Sequence, residues 1–224
     1  MTGSGIPLAT GSGIGLGPSR ECPLCPRLVA FRQENRGRWP QWHNAPVPPF
    51  GGAEPWLLVV GLAPGLKGAN RTGRPFTGDH AGVLLYATLE HFGLARGEYR
   101  AAADDGLELV GCRITNAVRC VPPENKPEPG EITQCGRYLA AELAALPSLR
   151  AAIALGTIAH GAVLAALSLR KSLFPFRHGA LHHLPGAILL ADSYHCSRLN
   201  TATGRLTPAM FHRVFEDVIA ARGP

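Results

Sequence analysis

The sequence has no apolar run that approaches the ~20 residues a membrane-spanning helix requires. Its first 20 residues are rich in Gly and Ser and contain neither a basic start nor a continuous hydrophobic stretch, so they do not resemble a secretory signal. We interpret residues 1–20 as a disordered tail and expect a cytoplasmic protein. In that compartment cysteines are kept reduced or bind metal.

Lysine is scarce as well. Three lysines accompany 19 arginines, the net charge is +6 and the sequence pI is about 9.3. A basic protein favours an anionic partner, with nucleic acid first among the candidates, and Arg binds phosphate in a bidentate manner. A GC-biased genome would produce the same excess of Arg, so the charge supports such a partner without identifying it.

Residues 57–86 combine a buried strand, a glycine-rich loop and a helix. The run Leu57–Val60 is apolar and β-branched, which is typical of a strand buried on both faces. Glycines and a proline then interrupt regular structure for about a dozen residues, until Asp79 can cap a helix. This order predicts a ligand site at the carboxyl end of a sheet. The loop carries residues that can bind an anion, stack on a ring and handle a proton: Asn70, Arg71, Arg74, Phe76 and Asp79.

Three further apolar segments predict strands near residues 109–116, 152–156 and 187–191. Polar side chains follow two of them, Asn116 and His195. An amide offers a donor and an acceptor side by side, which suits a base edge, although a capping or turn role is equally compatible. Strands that alternate with helices predict a three-layer α/β/α sandwich around a central, mainly parallel four-stranded sheet. We expect one domain over residues 21–224.

The six cysteines divide into two kinds. Four of them lie outside the predicted strands, as a CxxC pair and two residues that flank a Pro-rich segment: Cys22, Cys25, Cys120 and Cys135. Four thiolates can hold zinc or a [4Fe–4S] cluster, and the spacing of the cysteines does not decide between the two. The alternative to a metal site is that these cysteines are buried separately and do not act together. Cys112 and Cys196 lie in or beside apolar strands and are predicted to pack in the core.

Three histidines, His178, His182 and His183, lie close together in the sequence. No nearby carboxylate or cysteine completes a metal site, so we predict none there. His160, in the helix after the third strand, is predicted to be structural.

Several motifs agree in order and spacing with one known family. The segments GLAPG (61–65), NRTGRPFTGD (70–79), TNAVRC (115–120) and SYHCSRLNTATGRLT (193–207) resemble the type-B (family 5) uracil-DNA glycosylases. The WHNAPVPPFG segment (42–51) and the four cysteines also match the layout of that family. The resemblance covers nearly the whole chain beyond residue 20.

The resemblance implies a monofunctional enzyme that flips uracil, and other deaminated bases such as hypoxanthine, out of double-stranded DNA. It would hydrolyse the N-glycosidic bond and leave an abasic site for base excision repair. A base inside a duplex is unreachable, so flipping must precede chemistry at a cost of a few kcal/mol. The resemblance also implies a structural [4Fe–4S] cluster on Cys22, Cys25, Cys120 and Cys135. We expect a monomer associated with the nucleoid.

The resemblance also assigns roles to residues. Phe76 is expected to stack on the flipped base, Asn116 to read its Watson–Crick edge, and His195 to donate to the pyrimidine O2. The backbone of the first motif would hold the leaving base through Gly61, Leu62, Ala63 and Gly65. Arg71 and Arg74 are expected to contact phosphates, and Arg198 or Leu199 to enter the minor groove as a wedge.

The residue that activates water is less obvious. Related families carry Asp, Glu or Asn in or near the first motif, whereas GLAPG has no polar side chain. The resemblance points instead to Asp79, which also has the simpler role of a helix cap. Lys67 is the only lysine near this loop in the sequence, and its position is not catalytic in the family, so we expect no Schiff base.

Two other functions fit parts of the sequence. A non-enzymatic iron–sulfur DNA-binding redox regulator would explain the cysteines and the charge, but would give Phe76, Asn116 and His195 no role. A flavodoxin-like nucleotide-binding protein would use GLAPG to hold a phosphate, yet no acidic residue follows a second strand in the usual ribose-binding place.

Overall fold

The computed structural model describes residues 17–222. The predicted tail falls mostly on residues 1–16, outside the described residues. The strands are β1 Phe50–Gly51, β2 Leu57–Gly61, β3 Ala95–Arg96, β4 Glu108–Leu109, β5 Cys112–Asn116, β6 Ala151–Leu155, β7 Leu181–Leu184 and β8 Ile188–Ser193. The helices are α1 Pro26–Arg38, α2 Ala69–Thr72, α3 His80–His91, α4 Pro129–Ala144, α5 Thr157–Ala166, α6 Arg198–Ala202 and α7 Pro208–Arg222.

The central sheet has six strands in the order β1-β5-β2-β6-β8-β7. Its four inner strands are parallel, which confirms the predicted parallel sheet. The edge strands β1 and β7 are antiparallel and raise the strand count above the predicted four. Both are short and lie in segments of weak β character, one rich in Pro and Gly and the other containing two histidines. Strands β3 and β4 form a separate pair.

Alternate residues of β2 enter different cores, as a sheet covered on both faces requires. Leu57 and Val59 pack in a cluster that includes residues of α3 and α7, whereas Leu58 and Val60 pack in a cluster with residues of α4 and α5. The predicted three-layer α/β/α sandwich is therefore confirmed.

The last helix begins as its sequence indicates. Pro208 is its first residue, and the hydroxyl of Thr207 accepts a hydrogen bond from Met210 N at 3.2 Å. Its apolar face includes Phe211 and Phe215, which are both fully buried. None of the described helices is long and apolar enough to span a membrane.

Candidate active site

The parallel register brings the predicted site residues to one edge of the sheet. Gly61 at the end of β2 pairs with Asn116 at the end of β5, and β8 ends at Ser193, two residues before His195. These three strand ends enclose a cavity of about 250 Å³. Eight residues expected in the site line it: Leu62, Ala63, Gly65, Phe76, Asp79, Asn116, His195 and Arg198.

Phe76 and Asn116 form the closed end of this cavity. Phe76 is 6% exposed and Asn116 2% exposed. The Phe76 and His195 rings lie 6.0 Å apart at an interplanar angle of 29°. Asn116 Oδ1 is buried and has no hydrogen-bond partner among the described residues. An unpaired buried carbonyl oxygen costs about 1–3 kcal/mol of stability. The unpaired Asn116 Oδ1 therefore indicates a ligand that donates a hydrogen bond to it.

The main chain keeps Phe76 in an unusual conformation. Its φ is 54°, in the left-handed region that β-carbon-bearing residues rarely adopt. Tyr99 donates a hydrogen bond to the carbonyl oxygen of Phe76 at 3.1 Å, and Tyr86 donates to that of Pro75 at 2.7 Å. Gly61 must lack a side chain, because a β-carbon there would collide with both Asn116 Oδ1 and the Phe76 ring. The ring therefore lies directly against the end of β2.

Asp79 has two roles in the geometry. One carboxylate oxygen accepts from Gly82 N at 3.1 Å and caps α3, as the sequence predicts. The other lies against the glycine loop, where a β-carbon on Gly68 would come within 2.5 Å of it. Burial raises the pKa of Asp79 above its usual value, and hydrogen bonds from the amides of Gly82 and Ala81 partly oppose this. The carboxylate thus caps a helix and lines the cavity at once.

His195 follows β8 on a restrained segment. The side-chain amide of Asn200 donates to the His195 carbonyl oxygen at 2.8 Å. Burial of the ring lowers its pKa to about 4, so the imidazole is neutral at pH 7. A neutral imidazole can donate one hydrogen bond to an oxygen in the cavity without carrying a proton that it could lose to the leaving group.

The four residues expected to contact DNA have different environments. Arg71 and Arg198 are exposed, and Leu199, on α6 beside the cavity, is 72% exposed. Arg74 is buried at 5% exposure and forms two 2.7 Å hydrogen bonds to the carboxylate of Asp105. Its Nε donates to Thr77 at 2.7 Å. The expected phosphate contact by Arg74 is therefore wrong, since its donors are used inside the protein.

Five residues of the cavity wall were not predicted: Pro64, His80, Ala81, Asn125 and Ser197. Asn125 belongs to a 3₁₀ turn over Pro123–Asn125 and has a φ of 57°. The prolines around it indicate a turn, and Asn tolerates the left-handed conformation. Nothing in the local sequence indicates that this turn reaches the ends of β2 and β5.

The four cysteines outside the sheet meet in a second cavity, which Leu28, Val118 and Tyr138 also line. Arg119 N donates to Cys135 Sγ at 3.3 Å, and Arg32 Nη1 lies 3.7 Å from Cys120 Sγ. Burial raises the pKa of Cys25 to about 11 and that of Cys120 to about 12. These thiols are therefore neutral unless a metal binds them. As predicted, Cys112 and Cys196 pack in the core.

The residues around these sulfurs suit a metal–thiolate centre. Bound thiolates carry negative charge, which N–H donors and a nearby guanidinium stabilise. Arg32 is 3% exposed, and its Nε has no hydrogen-bond partner among the described residues. The donor set and its surroundings therefore fit four-thiolate coordination.

Comparison with known proteins agrees with this geometry. Residues 48–219 match the model of the uracil DNA glycosylase superfamily. The chain is 52% identical to a type-5 uracil-DNA glycosylase of Thermus thermophilus, over 86% of this chain and 90% of that protein. It is 43% identical to a type-5 enzyme of Mycobacterium leprae, over 88% and 89%. A type-4 uracil-DNA glycosylase of Pyrobaculum aerophilum is 34% identical over 65% of this chain and 60% of its own length. The chain therefore belongs to the uracil DNA glycosylase superfamily and, within it, to the type-5 uracil-DNA glycosylases, which are hydrolases of the N-glycosyl bond.

Proposed function

We propose that this protein is a monofunctional DNA glycosylase that excises uracil, and other deaminated bases such as hypoxanthine, from double-stranded DNA and leaves an abasic site for base excision repair. The observation that carries the proposal is the unpaired Asn116 Oδ1 at the closed end of the cavity, beside Phe76. Uracil N3–H is a donor that this oxygen can accept from, and the Asn116 amide N–H₂ can donate to the neighbouring O4.

The cavity requires the base to leave the duplex. Phe76 offers a rigid ring face, and stacking of a base on such a ring contributes about 1–3 kcal/mol. That gain offsets part of the few kcal/mol needed to flip the nucleotide. Arg71 and Arg198 are exposed and available to phosphates, and Leu199 can fill the gap that the flipped base leaves. We propose that the protein acts as a monomer.

His195 acts on the leaving group. As the C1′–N1 bond breaks, negative charge develops on the uracil O2. A neutral His195 N–H placed at the cavity wall stabilises that charge by a hydrogen bond that strengthens in the transition state. The backbone of Leu62, Ala63 and Gly65 lines the same wall, and its N–H groups can supplement that hydrogen bond.

Asp79 and Asn125 act on the sugar side. Burial raises the pKa of Asp79, and the hydrogen bonds from the Gly82 and Ala81 amides oppose that shift by stabilising the carboxylate. Its carboxylate can stabilise the cationic sugar and orient the attacking water. Asn125 lines the same cavity and offers an amide that can bind that water.

The absence of a positioned amine supports monofunctional chemistry. Among the described residues no lysine lines the cavity. Lys67 is exposed, and Lys126 forms an exposed ion pair with Glu124 at 3.1 Å. Without an amine near C1′ no Schiff base forms, so the strand stays intact until alkali is added.

For the four cysteines we propose a [4Fe–4S] cluster with a structural role. Zinc bonded to four thiolates at about 2.3 Å would bring the sulfurs within about 3.8 Å of one another. Among the described residues only His160, His182 and Asp192 place three ligand atoms within 4.8 Å of one another, so no three of the four cysteine sulfurs lie that close together. Four irons with one thiolate each suit that wider spacing better than a single zinc. The cluster would join α1 to α4 and the turn that carries Asn125.

The decisive experiment uses a labelled duplex with one uracil opposite guanine, and alkali added after the reaction. Wild type is expected to give product only after alkali, and Asn116→Ala to lose at least about 100-fold in single-turnover rate, because it removes recognition of the base. Lys67→Ala is the matched control and should retain full activity without a borohydride-trapped complex. Wild-type strand cleavage before alkali would contradict the monofunctional mechanism. If wild type releases no base from any deaminated duplex, the proposed function fails.

Metal analysis tests the cluster separately. Equal amounts of iron and inorganic sulfide are expected in wild type and should be lost in Cys120→Ser but retained in Cys112→Ser, whose thiol packs in the core. Zinc in place of iron would show that the four thiolates hold a single metal ion.

A further inference from the structure

A buried group of two histidines and one aspartate lies outside the cavity. Asp192 on β8 is fully buried, and His160 on α5 is 3% exposed. His160 Nδ1 lies 2.7 Å from Asp192 Oδ1, and His182 Nε2 on β7 lies 3.0 Å from Oδ2. Asp192 is the carboxylate that the sequence around the histidines did not offer, because it belongs to a different strand.

The hydrogen bonds of His160 require two protons. Its Nδ1 faces a carboxylate oxygen, and its Nε2 lies 2.8 Å from the carbonyl oxygen of Phe174. Both partners are acceptors, whereas a neutral imidazole has only one N–H. An additional proton must therefore lie between His160 and Asp192.

The surroundings place that proton on His160. Asp192 Oδ2 also accepts from Arg177 N at 3.2 Å as well as from His182, and these donors stabilise a negative carboxylate. The remaining ionisable groups nearby are Lys171, whose Nζ lies against Gly161 of α5, and His178. We propose that His160 is an imidazolium paired with the Asp192 carboxylate, and that this buried pair is a positioning device for His195.

The connection to His195 runs through residues 174–182. Asp192 fixes this segment through its side chain and through its main chain, because its carbonyl oxygen accepts from Gly179 N at 2.8 Å and its N–H donates to the Ala180 carbonyl at 3.0 Å. The segment carries His178, whose Nδ1 accepts from Tyr194 N at 3.1 Å.

His178 in turn holds the residue before His195. The His178 and Tyr194 rings stack at 4.9 Å and 11°, and the Arg205 guanidinium lies 4.6 Å from the Tyr194 ring. Burial lowers the pKa of His178, which keeps it neutral and able to accept. Loss of the His160–Asp192 pair would loosen this segment and let the Tyr194–His195 backbone shift. The inference deepens the proposed function, since it assumes that His195 acts on the base.

The first test does not depend on activity. In ¹⁵N-histidine spectra of the wild-type protein at pH 7.5, both ring nitrogens of His160 are expected to be protonated, with the assignment made by loss of its signals in His160→Gln. A single N–H on His160 would overturn the proposal. So would one equivalent of a divalent metal that binds wild type and is lost in His182→Ala but not in His183→Ala.

The second test uses Asp192→Asn. An asparagine can donate from Nδ2 to His160 Nδ1 and accept from His182 and Arg177 through its oxygen, so it removes the need for the extra proton without removing the contacts. If the charged pair positions His195, kcat and thermal stability of the wild-type protein are expected to decline when the pH is raised from 7 to 9. In Asp192→Asn the ratio of kcat at pH 9 to that at pH 7 should be nearly one.

His183→Gln is the control, because His183 is exposed on the same strand and lies outside the group. It should follow the wild-type pH profile, with the decline in kcat and little change in KM. Identical alkaline profiles for wild type and Asp192→Asn would overturn the positioning role. If neither protein excises uracil while His160 is doubly protonated, the proposed function fails and the ion pair stands.

Discussion

Replacing Asp79 by Asn or by Ala separates its two roles. The carboxylate caps α3 through Gly82 N at 3.1 Å and also lines the cavity. Asn is as good an N-cap as Asp, whereas Ala removes the cap at a cost of about 0.5–2 kcal/mol. In a domain of this size, 1 kcal/mol lowers Tm by about 2–4 °C. Asp79→Asn should therefore melt within about 1 °C of wild type, and Asp79→Ala several degrees lower.

Activity should not follow stability. If the charge of Asp79 stabilises the cationic sugar and orients water, both variants lose it and both should fall by about 10²–10⁴-fold in single-turnover rate. The assay is base release from a uracil–guanine duplex with enzyme in excess, at a temperature where both variants are folded.

Two controls accompany this comparison. Binding of a duplex that carries an abasic site should remain within about twofold of wild type, because the change concerns a step after binding. Full activity in Asp79→Asn, with a loss only in Asp79→Ala, would refute the reasoning and reduce Asp79 to a helix cap.

Three further outcomes follow from the geometry. Gly61→Ala should leave the protein folded but abolish uracil excision, since the new methyl group would displace the Asn116 and Phe76 side chains; circular dichroism and the duplex assay check this. Arg74→Ala should destabilise the protein by about 3–5 kcal/mol in urea titrations because it leaves Asp105 buried and unpaired. Arg71→Ala should preserve stability and reduce the slope of log K for DNA binding against log salt concentration by about one. The decline of kcat at acidic pH should have its midpoint above pH ~4, the usual range of an Asp, because burial raises the pKa of Asp79. This acid limb should disappear in Asp79→Asn. An unchanged limb in that variant would assign it to another group.

Much of the site was predictable because parallel strands share one edge. Leu57–Val60 is apolar at every position, so the strand and its end at Gly61 are evident from the sequence. Asn116 and His195 follow similar strands, and the register then brings all three ends together.

The residues that were missed depend on partners remote in sequence. Arg74 and Arg71 belong to the same loop and carry the same charge, and only Asp105, about 30 residues away, determines that Arg74 turns inward. Asp192 reads as part of a strand, and its two histidines come from other elements. Asn125 lines the cavity because the tertiary fold places its turn there. No local sequence pattern indicates that position.

The pairing of Gly61 with Asn116 limits how such an enzyme can acquire new substrates. A β-carbon on Gly61 would collide with the side chains of Asn116 and Phe76, the two residues that we propose recognise the base. A larger residue at position 61 would therefore displace one or both of these side chains. Any change in base preference has to come from the rim, where Ala63, Asn125 and Ser197 border the opening and can change size or polarity one at a time.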